Sequence, residues 1–132
     1  MPPVRIVPPT LEGQIKSDKS LKEWLEREET VRGIHFSQQA EKDINCSYKT
    51  IKNCTFSHIQ FNACKLKSTH FTDVCFENCD LSNISFVESS LFRVEFVSCK
   101  LVGTNLSEST LNHLFMKDCN AHYLNLSMSK IN

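Results

Sequence analysis

From Ile51 to Ile131 an apolar residue returns at every fifth position: Ile51, Phe56, Phe61, Leu66, Phe71, Phe76, Leu81, Phe86, Leu91, Phe96, Leu101, Leu106, Leu111, Met116, Ala121, Leu126 and Ile131. With 40% apolar residues in the chain, seventeen hits in seventeen places would arise by chance about once in a million. The period of five matches neither the 3.6 of a helix nor the 2 of a flat strand. It predicts a repeat architecture.

A second position in each unit is constrained as well. Two residues before the apolar centres stand Cys54, Ile59, Cys64, Thr69, Val74, Cys79, Ile84, Ser89, Val94, Cys99, Thr104, Ser109, Leu114, Cys119, Leu124 and Ser129, small or apolar side chains without one charge. The other three positions hold most of the charge, including Asp73, Glu88, Arg93, Glu95, Glu108 and Lys117. Two positions in five therefore point inward and three point out.

The same phase reaches back through Cys46 and Phe36 to Val31, so the repeat is expected over 31–132. One unit, 39–43, places Glu41 where an apolar residue belongs, and an outward bulge or irregular first coil is expected there. Residues 17–30 predict a helix. Ser20-Leu21-Lys22-Glu23 is a capping box, and Leu21, Trp24 and Leu25 form one apolar stripe at i, i+3, i+4. So short a helix needs a surface to cover, and the open end of a repeat stack is one. Residues 1–16, with Pro2-Pro3 and Pro8-Pro9, cannot be helical. They are either an extended arm, with a short strand over Val4–Val7 that pairs with an exposed edge, or a disordered tail.

Fifteen basic and fifteen acidic residues cancel, eight of each within 1–50 and seven of each beyond. A neutral chain offers no electrostatic footprint for nucleic acid. No basic region followed by an apolar run opens the chain, and no stretch approaches a membrane span. A cytoplasmic protein without membrane contact is expected. The seven cysteines are odd in number, and five occupy the small inward position, which argues for packing rather than a disulfide framework.

Units such as Cys79-Asp80-Leu81-Ser82-Asn83, Thr104-Asn105-Leu106-Ser107-Glu108 and Cys119-Asn120-Ala121-His122-Tyr123 resemble the pentapeptide-repeat family. The resemblance implies an all-β solenoid, a right-handed quadrilateral β-helix of about five coils closed by one N-terminal capping helix. Coils would stack at about 4.8 Å into a rod of roughly 24 Å. Residues twenty apart then become neighbours, with Phe56, Phe76, Phe96 and Met116 in one internal column. The resemblance further implies a non-catalytic protein-interaction module. Quinolone-resistance members of the family in bacteria bind DNA gyrase and topoisomerase IV, partly as mimics of DNA, and some family members dimerise through their C-terminal coil. The neutral repeat domain removes the mimicry argument, and the main run lacks the inserted loops many resistance members carry. A generic scaffold, or a fragment of a larger repeat protein with another partner, is the alternative.

Candidate chemistry is sparse. Cys79, Cys99 and Cys119 share one column as small interior groups or as a thiol ladder. Cys75, one residue before a centre, is expected to face outward as a free thiol. His35, His58, His70, His113 and His122 show no metal-ligand spacing, although His113 would share an outer ladder with Asp73 and Arg93. No nucleophile elbow or phosphate loop is present. Neither catalysis nor a cofactor is expected, and with three glycines strained backbone positions are not expected either. Val87, Phe92, Val97 and Val102 place apolar residues at an outward position around one coil, as a partner-contact patch or as local packing. Met116, Ala121, Leu126 and Ile131 would leave the last coil open as a dimer end.

Overall fold

The structure, a computed structural model, describes residues 7–131 apart from 18, 38, 39, 43, 46 and 63. Cys46, and Val4–Val7 except for Val7, lie outside the described residues. In chain order the elements are β1 (Ile15–Lys16), α1 (Leu21–Arg27), β2 (Thr30–Arg32), β3 (Ile34–Ser37), β4 (Ala40–Lys42), β5 (Thr50–Ser57), β6 (Gln60–Asn62), β7 (His70–Glu77), β8 (Ser90–Val97), β9 (Thr110–Lys117) and β10 (Lys130–Ile131).

These strands form a parallel solenoid of about five turns. Along two adjacent walls, which meet at the corner column of Gly33, Asn53, Asp73, Arg93 and His113, the order is β1-β3-β5-β7-β8-β9-β10, with β2 also on β5. From β2 and β3 through to β10 the register is twenty residues per turn: Phe36 lies opposite Phe56, Phe56 opposite Phe76, Phe76 opposite Phe96 and Phe96 opposite Met116. The period of five has a direct physical meaning here. Each unit of five makes one side, and four sides make a turn. Inside, the Phe36, Phe56, Phe76 and Phe96 rings stack at 5.2, 4.9 and 5.0 Å between centroids, within 13° of parallel. Phe61, Phe71 and Phe86 meet that column from the side. The burial of each such ring contributes about 1.5–3 kcal/mol, and ladders of like side chains make the contribution continuous along the axis.

The small inward position is explained by hydrogen bonding as well as by size. Its hydroxyl or thiol donates to a carbonyl twenty-three residues earlier: Cys79 Sγ to Phe56, Cys99 Sγ to Phe76, Cys119 Sγ to Phe96, Thr104 Oγ1 to Leu81, Ser109 Oγ to Phe86. Cysteine, serine and threonine are interchangeable there because each is small and carries one donor. Residues Asp80, Asn105, Asn120 and Asn125, just before a centre, accept the amide two positions on and so shape the next corner.

The corners depart from expectation. Among the described residues fifteen other than glycine have φ between 51° and 64°, among them Asn53, His58, Asp73, Glu88, Arg93, Glu108 and His113, each two positions after a centre. The left-handed conformation costs an L-residue about 1–2 kcal/mol. It is held because the corner amide bonds to the next turn: His58 to the Glu77 carbonyl, Asn78 to Val97, Glu88 to Ser107, Ser98 to Lys117. Few glycines therefore did not mean few left-handed positions. The inter-turn ladder imposes the conformation on whatever side chain is present.

The helix is shorter than the expected 17–30. Ser20 caps it by accepting the Glu23 amide, and Glu28 is already extended. Beyond it Glu29 accepts the Thr50 amide and β2 joins β5, so the chain has entered the first turn. Leu21 and Leu25 are buried in the core, and Trp24 donates from Nε1 to Ser17 Oγ at 2.7 Å. At Glu41 the backbone does not bulge, since β4 pairs with β6 and places Glu41 opposite Phe61. Backbone pairing keeps phase there whatever the side chain.

Candidate partner-contact surfaces

Val87, Phe92, Val97 and Val102 each follow a centre by one position, on four successive sides of the solenoid. All four are half-buried. Val97 lies between Glu77 and Lys117 in its column. Phe92 underlies Arg93, whose guanidinium carbon is 4.3 Å from the ring centroid, and meets the His113 ring edge-on at 5.8 Å.

The residues at the far end are brought together. Met116 and Ala121 are half-buried, whereas Leu126 is 39% and Ile131 64% exposed, although their counterparts one turn earlier, Leu106 and Leu111, are buried. Leu114, Cys119 and Leu124 add to the same half-covered face. Cys119, Asn120, Ala121 and His122 line a shallow depression on it.

The cysteines behave as interior groups. Cys54, Cys64, Cys75, Cys79, Cys99 and Cys119 carry free thiols. Cys75 does not face water as expected. It is 7% exposed, because on the outer face it sits between Thr55 and Glu95 in its column and beside Glu77. Burial first, then the Glu95 and Glu77 carboxylates, push its thiol up to about 12. Burial also raises Cys54 to about 11, and the Cys79 side chain and burial raise Cys99. None of these is a nucleophile at neutral pH. Among the described residues no group of three His, Cys, Asp or Glu could hold a metal ion.

On the same outer face His35 Nε2 lies 3.0 Å from Ser57 Oγ, which donates to Glu77 Oε1 at 2.5 Å. With the serine proton directed to Glu77, the imidazole meets the hydroxyl oxygen as a donor. The chain links three turns and activates no nucleophile.

The extended arm and the outer ladder of Asp73, Arg93 and His113 were expected separately, and what sequence reasoning missed is that one docks on the other. Residues 7–15 run as a strap along the corner column Gly33, Asn53, Asp73, Arg93, His113, from the upper turns down to the first. Val7 N donates to His113 Nδ1 at 3.0 Å, Thr10 N to Asp73 Oδ1 at 2.9 Å, Glu12 N to Asn53 Oδ1 at 3.0 Å, and Ile15 N to the Gly33 carbonyl at 3.0 Å. Asn53 also returns a bond from Nδ2 to the Glu12 carbonyl, as a neighbouring strand would. Four turns span about 19 Å, within reach of nine extended residues.

The strap and column are chemically matched. Asn53, Asp73 and His113 each project an acceptor from a left-handed corner. Arg93 has donors alone, and the strap segment between Val7 and Thr10 is Pro8-Pro9, which has no amide to leave unpaired. Arg93 turns instead to Asp73, with Nε at 2.6 Å from Oδ1 and Nη2 at 2.9 Å from Oδ2. The Arg93 hydrogen bonds hold the Asp73 carboxyl below its usual range. Val7, Leu11 and Ile15 remain exposed at 42%, 39% and 63%. Polar contacts of about 0.5–1.5 kcal/mol each, rather than apolar burial, attach the strap.

Comparison with known proteins settles the lineage of this architecture. The family description "Pentapeptide repeats" matches eight copies over residues 50–83 and 99–132, together just over half of the chain. The chain belongs to the pentapeptide-repeat family. Solved structures similar to this pentapeptide-repeat protein include Rfr23 from the cyanobacterium Cyanothece 51142, at 13% identity over 83% of this chain and 92% of that one, TM-score 0.22. Two trypsin-treated forms of QnrB1, a plasmid-mediated fluoroquinolone resistance protein, also match. One has 10% identity over 89% of this chain and 88% of that one, TM-score 0.31. The other has 12% identity over 78% and 82%, TM-score 0.19. At these values none of the three bears on what this chain binds. No curated protein matches it in sequence.

Proposed function

We propose that this pentapeptide-repeat protein is a non-catalytic interaction module that works through the apolar end of its solenoid. The observation that carries this reading is the exposure of core-type residues there: Leu126 and Ile131 are open, and Met116 and Ala121 are half-covered, while the same columns below are sealed. An exposed apolar face of this kind favours association. A second copy presenting the same end would extend the internal columns across a two-fold axis and cover the outermost strand edges. Light scattering on the purified chain tests this, with a dimer expected and Ile131→Lys with Leu126→Lys expected to give monomers. A wild-type particle that remains monomeric at all concentrations would sink the dimer.

The finer reading is a partner of topoisomerase class, DNA gyrase or topoisomerase IV, which family membership supports. Equal numbers of acidic and basic residues favour contact through shape and apolar surface over imitation of DNA charge. A supercoiling assay with and without a fluoroquinolone tests it. Protection or inhibition is expected, and absence of binding, protection and inhibition together would leave a scaffold with a different protein partner. Among the described residues no helix is long and apolar enough to cross a membrane. The free thiols favour a reducing compartment, and the cytoplasm is the proposed location.

A further inference from the structure

We propose that the N-terminal strap is a pH-released latch, its far end held by the unprotonated Nδ1 of His113. Val7 N–H points at Nδ1 from 3.0 Å, which requires that nitrogen to carry a lone pair and the ring proton to sit on Nε2. An imidazolium has no acceptor. Protonation therefore converts the bond into two donors facing each other, and no backbone rotation at the strap repairs it, since Pro8 follows directly and restricts Val7 to extended conformations.

The charges around His113 act in the same direction. One turn below it, at the corner between the paired residues Phe92–Asn112 and Val94–Leu114 of the β8–β9 register, stands Arg93, and a cationic ring there meets a like charge. The nearest carboxylate in the column, Asp73, is two turns away and already engaged by Arg93 through both oxygens and by Thr10. The ring's other neighbour is the edge-on Phe92, which is neutral. On its own strand the charged residue is Lys117, and the described strap brings Glu12 and Lys16 only at the lower turns, beside Asn53 and next to the Gly33 contact. On the strands paired with β9, Glu95 lies opposite Phe115, around the corner from His113, and Lys130 lies opposite Thr110; among the described residues neither pairs with the ring.

The remaining strap contacts do not titrate in the mildly acidic range where imidazoles change charge. Asn53 is neutral at any pH, and the Asp73 carboxyl is held ionised by Arg93. The latch therefore opens from the Val7 end only, leaving Glu12 and Ile15 attached. With the exposed Val7 side chain contributing little burial, the His113 bond is what holds that end down.

Amide exchange followed by NMR on the full chain tests this. Protection factors at Val7, Thr10 and Glu12, corrected for intrinsic rates, are compared at about pH 7.5 and about pH 5.5. Val7 is expected to lose protection about fivefold or more on acidification, with a midpoint that follows the His113 ring's own 15N titration, while Glu12 keeps its protection. His113→Asn, suited to the left-handed corner and offering a non-titrating Oδ1 as Asn53 does, is expected to keep Val7 protected at both pH values. An unprotected Val7 at neutral pH, equal protection at both pH values in the wild type, an equal loss at Glu12, or a loss that persists in His113→Asn would each overturn the proposal.

Discussion

Phe76→Ala removes the ring at the middle of the aromatic column. Phe76 is 1% exposed, stacked 4.9 Å from Phe56 and 5.0 Å from Phe96, and flanked by Phe61, Phe71 and Phe86 at 6.0–6.4 Å. Phe→Ala in a core costs about 3–5 kcal/mol, and the cost rises with the cavity that remains. Here the rings above and below belong to turns whose spacing is set by backbone ladders, so they cannot close on the gap. The loss should fall in the upper half of the range, about 4–5 kcal/mol. At about 2.1 cal/mol/K per residue the unfolding entropy of this chain is about 0.28 kcal/mol/K, and the melting temperature should drop by about 14–18 °C. Urea unfolding followed by circular dichroism measures the loss, with Phe76→Leu, expected at about 1–2 kcal/mol, as control. Met116→Ala, at the half-covered top of the same column, should cost about half as much as Phe76→Ala. A Phe76→Ala loss below about 2 kcal/mol, or one equal to that of Met116→Ala, would refute the rigid-column reasoning.

Other outcomes follow from the corners, the thiols and the ion pair. Glu88 sits exposed with φ 59°; Glu88→Gly should relieve about 1–2 kcal/mol of left-handed strain against a smaller entropic cost, a net gain of about 0.5–1 kcal/mol in urea melts. A clear destabilisation would show that the corner side chains do more than tolerate their conformation. Cys75, with its thiol pushed up to about 12, should label with a water-soluble maleimide only as the chain unfolds, and rapid labelling of folded protein would contradict its burial. Because Cys54 and Cys75 hold protons more tightly folded than unfolded, their contribution to stability is complete below about pH 9 and is lost as pH rises through about 11–12. Alkaline titration of the unfolding midpoint measures that fall. Asp73 has the opposite sign: lowered in the fold by Arg93, it stabilises above the ordinary carboxyl range, and that share is lost on acidification through its depressed value. A double-mutant cycle of Asp73→Asn with Arg93→Gln should give a coupling of about 0.5–1 kcal/mol at neutral pH.

How much was legible in the chain differs from site to site. Inside and outside could be read because one backbone geometry repeats, so a one-dimensional period maps directly onto them, and the resemblance to the pentapeptide-repeat family implied the four-sided turn and with it the columns. The burial of Cys75 could not, because its cover comes from Thr55 and Glu95, each twenty residues away at an outward position. The ring of Val87, Phe92, Val97 and Val102 around one coil could be read, but not what stands beside each of them: Arg93 and His113 against Phe92, Glu77 and Lys117 against Val97.

Periodicity by itself determined which side chains of this protein are internal, and the resemblance to the pentapeptide-repeat family supplied the four-sided turn that says which residues stack; the carbonyl that each small inward cysteine, serine or threonine meets twenty-three residues earlier appeared only in the fold. Tertiary structure alone decided the path of residues 7–15. The bond from Val7 to His113 joins positions 106 apart, and its logic, acceptors at three corners and a proline pair across from Arg93, exists only once the turns bring that column into line. Local preferences repeat along the chain and are written in it. A contact between distant segments depends on where the backbone ladders place them, and no local pattern encodes it.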